Sequence, residues 1–188
     1  ITFVEAESLT LTSDDKNVPV DESNLILKAA KKLIEKTGVK KGAKIRLEKK
    51  IPFPGGLGGG SSNAAIALLG LATLWETSIL FDELVDIGKE IGSDVPYFLY
   101  GGTALGAGLG TEISDANSFE KNYMVIITPN IEVSTPKAFA RIDALDLTRT
   151  DSKRILKICR EEALRLDSGH LNFTNDFEES VFKIEPKV

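Results

Sequence analysis

Apolar and polar positions along the chain form short blocks that predict a mixture of strands and helices. Residues 1–12 and 123–128 predict strands, and residues 43–49 predict another in which Ile45 and Leu47 share one face. Five further segments have apolar residues at helical spacing and predict helices: residues 25–38, 64–75, 81–91, 136–144 and 151–166. Because strands and helices follow one another without a regular βαβ alternation, the pattern favours an α+β fold.

Two glycine-rich segments interrupt this pattern. Residues 52–63 contain five glycines, and residues 101–110 contain five more, so we expect no regular element in the second segment. Between them, residues 92–98 predict a turn that leads into an apolar stretch. The polar stretch at residues 113–122 is the candidate domain boundary.

Composition places the chain among ordinary globular proteins and excludes several classes of function. Its 188 residues are 42% hydrophobic and 27% charged, with a net charge of −5, which gives no reason to expect a nucleic-acid partner. The apolar stretch at residues 64–75 is shorter than the roughly 20 residues needed to span a membrane. The single cysteine cannot form an internal disulfide, and we therefore expect a cytoplasmic protein. The first residue is not Met, so we also expect processing or a missing N-terminal piece.

The strand, glycine loop and helix at residues 44–75 predict a phosphate-binding site. The predicted helix begins within residues 61–63, where its first amides lack intrahelical acceptors and its dipole places partial positive charge. The Walker pattern fails because Ser61 stands where it requires lysine, and the dinucleotide fingerprint fails because Ser61 replaces its last glycine. The alternative is that the glycines only form a tight connection.

Several motifs resemble those of the GHMP kinases. The segment PFPGGLGGGSSNAA at residues 52–65 resembles their phosphate-binding motif, and residues 92–98 and 101–104 resemble their second signature. Residues 24–26 and 134–136 match shorter stretches in the same order. The resemblance implies an α+β, two-domain fold that is incomplete at both ends. It implies an ATP-binding domain of the ribosomal protein S5 domain 2-like type at residues 1–116, and a ferredoxin-like domain at residues 117–188.

The resemblance also implies an activity and its site residues. It is strongest to the kinases that phosphorylate the 2-hydroxyl of 4-diphosphocytidyl-2-C-methyl-D-erythritol in non-mevalonate isoprenoid synthesis, which use ATP and Mg²⁺. Asp94 matches the aspartate that takes the substrate's proton. Residues that match substrate-binding positions are Asp94, Thr135, Pro136 and Phe139. Residues that match the loop around the ATP phosphates are Pro52, Phe53, Pro54, Gly55, Gly56, Leu57, Gly58, Gly59, Gly60, Ser61 and Ser62. Asn24 and Lys49 match positions that touch the adenine.

Each assignment has a structural alternative. Asp94 and Asn24 are also suited to capping helices, Lys49 to a solvated strand, and Phe139 to the core at a helix start. The metal ligands stay open, although Ser61 or Ser62 would lie near Mg²⁺. The oligomeric state also stays open.

The family pattern is interrupted at both ends of the chain. The N-terminal Pro-Ala-Lys and Gly-Tyr-His motifs and the C-terminal glycine-rich signature do not occur, so we expect residues 1–188 alone to be nearly inactive. Three other functions therefore stay open. They are a homoserine or mevalonate type of kinase, a nucleotide-binding module without catalysis, and a structural domain without a ligand.

Overall fold

The chain divides into two compact units, Ile1–Ser114 and Asp115–Val188. The structure, a computed structural model, describes residues 1–52, 56–116, 123, 125–127, 131, 133, 138, 140, 175 and 177–187. No helix in these parts of the chain is long and apolar enough to cross a membrane.

A three-stranded sheet forms one layer of the first unit. Its strands are β1 (Thr2–Ala6), β2 (Thr10–Ser13) and β3 (Gly42–Leu47), in the order β1-β3-β2. β1 pairs antiparallel to β3 with Phe3 opposite Ile45, and β2 pairs parallel to β3 with Leu11 opposite Ile45. Ile45 and Leu47 are buried whereas Lys44 and Arg46 are exposed, which confirms the predicted alternation in this strand.

Helices α1 (Leu25–Thr37), α2 (Gly59–Leu74) and α3 (Phe81–Ile91) form the core of this unit with the sheet. α2 is the central helix, because it contacts α1, α3, β1 and the short helix α4 (Val95–Tyr100). Its residues Leu68 and Leu71 are fully buried, as are Ile26 and Leu33 of α1. Full burial of one such side chain contributes about 1.5–3 kcal/mol, so α2 is held firmly from several sides.

Helix ends follow the expected local chemistry. α1 ends at Gly38, which adopts the left-handed conformation at φ 69° and donates its amide to the Ile34 carbonyl. At the start of α3, the amide of Leu80 donates to the Glu83 carboxylate at 3.1 Å. The predicted bounds of α1 and α3 are therefore confirmed.

Four sequence expectations for this unit were wrong in detail. Residues 1–12 form two strands rather than one, and α2 begins at Gly59 rather than within residues 61–63. The apolar stretch after residue 94 is the helix α4, with Pro96 in its first turn, where proline is tolerated. The second glycine-rich segment contains a strand, β4 (Ala104–Ala107), which pairs with β5 (Glu112–Asp115). Two glycines of this segment at positive φ, Gly108 and Gly110, lie in the turn between these strands.

The second unit includes the helix α5 (Phe177–Ile184). The side chain of Asn175 accepts a hydrogen bond from the Phe177 amide at 2.9 Å. Of the predicted helix at residues 136–144, the described Ala138 and Ala140 are helical. The described residues of the predicted strand at 123–128 carry no strand, and the predicted helix at 151–166 lies outside the described residues.

Candidate phosphate-binding site

The first turn of α2 forms the base of the candidate site. Gly58 precedes the helix in the left-handed conformation, at φ 65°, and no side chain caps the helix. The Ser62 amide donates to the Gly58 carbonyl at 2.9 Å, but the amides of Gly59, Gly60 and Ser61 have no backbone acceptor in the described part of the chain. These donors and the helix dipole suit an anion such as phosphate.

Each of the three glycines at this turn lies against a different segment of the unit. A Cβ atom on Gly58 would lie 2.8 Å from the ring of Phe98 in α4, and one on Gly59 would lie 2.8 Å from the Lys49 ammonium. A Cβ atom on Gly60 would lie 3.6 Å from Leu25 at the start of α1. At Gly58 and Gly59 a side chain would collide with these neighbours, so glycine allows Phe98 and Lys49 to pack directly against the turn. We call these three glycines and the segments packed against them the glycine cradle.

Asp94 is linked to this turn through Phe98 of the helix that follows it. It is exposed at the position before α4, and its main-chain carbonyl accepts a hydrogen bond from Phe98, whose ring covers Gly58. The Asp94 side chain makes no capping hydrogen bond. Asp94 therefore stands at the capping position of α4, but its carboxylate is not used as a cap. The carboxylate can accept a proton from a ligand.

The second glycine-rich segment lies beside Asp94. A Cβ atom on Gly110 would lie 4.0 Å from the Cβ atom of Ser93. The Tyr97 hydroxyl donates to the Gly102 carbonyl at 2.9 Å and holds the start of that segment to α4. Both glycine-rich segments thus lie against the helix that begins after Asp94.

Lys49 lies after the end of β3 rather than in a strand. Its side chain is half-buried, and its ammonium reaches Gly59 at the first turn of α2. Burial lowers the pKa of Lys49, and the charge of Asp15 opposes this effect. The alternative that Lys49 is a solvated residue of a strand is therefore wrong.

Asn24 caps α1. Its side-chain oxygen accepts from the Ile26 amide at 2.9 Å, and its side-chain nitrogen donates to the Pro19 carbonyl at 2.5 Å. The neighbouring Leu25 contacts Gly60, so the cap lies beside the first turn of α2. Its capping role is observed, and the adenine contact stays a prediction.

The other predicted site residues divide into two groups. Pro52, Gly56 and Leu57 are exposed around the loop, and the Ser61 and Ser62 hydroxyls have no hydrogen-bond partner among the described residues. Phe53, Pro54, Gly55, Thr135, Pro136 and Phe139 lie outside the described residues. The described chain also holds no group of three or more His, Cys, Asp or Glu side chains that could bind a metal.

Sequence reasoning missed Phe98 as part of this site. The ring follows Asp94 by four residues, which places it one turn away on the same face of a helix. Recognising the helix α4 would have supplied this signal, but the stretch was interpreted as a turn followed by an apolar segment.

Comparison with known proteins assigns this arrangement to a family. Residues 24–102 match the N-terminal domain of the GHMP kinases, a range that includes the cradle and Asp94. Residues 24–102 are a GHMP kinase N-terminal domain. The GHMP kinase fold predicted from the sequence is confirmed by solved structures of the same architecture.

Individual GHMP kinases resemble most of the chain. It is 38% identical over 87% of its length to the 4-diphosphocytidyl-2-C-methyl-D-erythritol kinase of Clostridium tetani. A crystal structure of a 4-(cytidine 5'-diphospho)-2C-methyl-D-erythritol kinase matches 98% of the chain at 28% identity, with a TM-score of 0.67. The homoserine kinase of Cytophaga hutchinsonii has the same TM-score at 21% identity over 88% of the chain, which shows the fold alone. The chain spans 59%, 65% and 58% of the length of these three proteins.

Proposed function

We propose that the protein transfers the γ-phosphoryl group of ATP to the 2-hydroxyl of 4-diphosphocytidyl-2-C-methyl-D-erythritol. The observation that supports this most is the convergence of Lys49, Phe98 and Leu25 on three consecutive glycines at the start of α2. These contacts gather the segments of Asn24, Lys49 and Asp94, which are far apart in sequence, around a set of free amides. The similarity to kinases that act on this substrate supports the acceptor.

Each residue has a proposed part in the transfer. The amides of Gly59, Gly60 and Ser61 hold the ATP phosphates, and preorganised donors of this kind stabilise the charge that develops during transfer. The Asp94 carboxylate takes the proton of the acceptor hydroxyl, whose oxygen attacks the γ-phosphorus while the bond to ADP breaks. Mg²⁺ would neutralise phosphate charge, and the Ser61 and Ser62 hydroxyls are the groups of the cradle that could reach it.

The remaining parts of the proposal concern the rest of the chain. Thr135, Pro136 and Phe139 would bind the cytidine part of the acceptor, with stacking on the Phe139 ring. Residues 1–116 and 117–188 would be the nucleotide-binding and substrate-binding domains. We place the protein in the cytoplasm, where small metabolites rather than nucleic acids or membranes are its partners.

A turnover assay tests the acceptor. The chain is extended at both ends to the length of its relatives and incubated with ATP, Mg²⁺ and one of three alcohols. We expect ADP release and a phosphorylated product with the cytidine-linked methylerythritol only. Transfer to homoserine or mevalonate instead would assign another branch of the family. ATP binding without transfer to any of the three would favour a module without catalysis.

Variants of Asn24 separate its cap from the proposed adenine contact. Asn24→Ala should lower the free energy of unfolding by about 1 kcal/mol, because it removes the cap, whereas Asn24→Ser should lose less. Both variants lack the amide that would hydrogen-bond the base, so both should bind ATP more weakly than the wild-type protein does. Urea unfolding and calorimetric titration measure the two effects. Full ATP affinity in Asn24→Ser would restrict Asn24 to capping.

A further inference from the structure

The position of Lys49 is set by the protein around it. Its backbone amide donates to the Asp14 carboxylate at 2.8 Å, and the Asp14 amide donates to the Leu47 carbonyl at 3.3 Å. These bonds fix the chain just after β3. From there the side chain extends to Gly59, where Ile51 also contacts the turn. Hydrogen bonds of the backbone thus position the Lys49 ammonium at the start of α2.

This position is electrostatically unfavourable in the protein alone. The start of a helix carries partial positive charge, so a neighbouring ammonium is repelled. Lys49 also makes no ion pair with a described residue, and burial lowers its pKa, an effect that the charge of Asp15 opposes. Five other lysines of this unit have the opposite arrangement, each with a carboxylate oxygen within 2.9 Å: Lys31, Lys32, Lys36, Lys41 and Lys89.

An anion at the first turn of α2 would offset both the repulsion from the helix start and the burial of an ammonium that has no ion pair. It would accept hydrogen bonds from the free amides and pair with the Lys49 ammonium. The Walker phosphate loop places a lysine within the loop itself for this purpose, but this chain has Ser61 at that position. Lys49 approaches the same turn from outside the loop.

We propose that Lys49 binds the polyphosphate of the nucleotide and takes the part that the loop lysine has in Walker proteins. This inference rests on the proposed function, since it assigns a ligand group to a residue of the same site. It differs from the adenine contact that the sequence predicts for Lys49. The distinction matters because a phosphate contact depends on the charge, whereas an adenine contact requires the base.

Three probes separate these alternatives: ATP, inorganic tripolyphosphate, which has no base, and adenosine, which has no phosphate. Each is titrated into the 188-residue chain and into Lys49→Met, which keeps an unbranched apolar side chain but loses the charge. Lys50→Met is the matched control, because Lys50 is exposed and adjacent. Lys49→Arg keeps the charge. Circular dichroism checks that each variant is folded.

We expect Lys49→Met to weaken ATP and tripolyphosphate binding by about ten-fold or more, because hydrogen bonds to charged groups are strong. Adenosine binding and all binding by Lys50→Met should change by less than about two-fold, and Lys49→Arg should retain part of the affinity. Weaker adenosine binding with unchanged tripolyphosphate binding would overturn the inference in favour of an adenine contact. Equal losses in the Lys49 and Lys50 variants, or none in either, would overturn it too. If the wild-type chain binds neither ATP nor tripolyphosphate, the proposed function fails together with it.

Discussion

Asp94→Asn should lower the rate of phosphoryl transfer by a factor of about 10²–10⁴, the usual contribution of a positioned general base. The amide has nearly the same shape as the carboxylate but cannot take the acceptor's proton. Because the Asp94 side chain makes no capping hydrogen bond, the free energy of unfolding should hardly change. ATP affinity should also stay within about two-fold, since the loss falls on the chemical step. Steady-state turnover and calorimetric titration measure the two quantities in the chain at its relatives' length.

Asp82→Asn is the matched control for this experiment. Asp82 is also an exposed aspartate near the start of a helix, α3, but it is not among the described residues that contact Gly58, Gly59 or Gly60. The control should keep the wild-type rate. An Asp94 variant that turns over as fast as the control would contradict the assigned base. A parallel loss of ATP affinity would instead give Asp94 a part in nucleotide binding.

Gly58→Ala should destabilise the first unit by about 2–5 kcal/mol and weaken ATP binding. Two costs add: about 1–2 kcal/mol for a left-handed residue that carries a Cβ atom, and about 1–3 kcal/mol for crowding against a packed ring. The first follows from φ 65°, and the second from the 2.8 Å approach to Phe98. Urea unfolding measures stability, and titration with ATP measures binding.

Gly56→Ala separates these two costs. Gly56 has nearly the same backbone conformation, at φ 62°, but a Cβ atom there would meet no atom of the described residues within 4 Å. It should show the conformational cost only. Phe98→Leu in the Gly58→Ala background should recover part of the difference, because the smaller side chain leaves room for the methyl group. Equal destabilisation of the two alanine variants would mean that the Phe98 ring does not restrain the loop.

The sequence predicted the elements whose periodicity is strong. α1 and α3 have apolar residues at helical spacing, and α1 ends at a glycine, so their existence and bounds were predictable. β3 was predictable for a similar reason, since its exposed charges alternate with buried aliphatic side chains. In these segments local preference and tertiary packing agree.

Glycine was the main source of error. α2 begins at Gly59, two to four residues before its predicted start, because the amides of a first turn need no intrahelical acceptor and glycines are tolerated there. β4 forms within a segment judged too rich in glycine, because pairing with β5 stabilises it. Such effects depend on partners far along the chain, which local preference does not contain.

The candidate site was predictable as a set of residues but not as an arrangement. The glycine loop, Asn24, Lys49 and Asp94 follow from motifs, but the approach of Lys49 to Gly59 depends on the path of the chain after β3. The contact of Phe98 with Gly58 depends on how α4 packs. Sequence spacing alone does not specify either contact.

The central position of α2 has a consequence for ligand binding. Here the turn that would hold the phosphates is continuous with a helix buried among α1, α3, α4 and β1. Unfolding the core would therefore also destroy the turn. A nucleotide that binds only the folded turn would raise the free energy of unfolding of the whole unit.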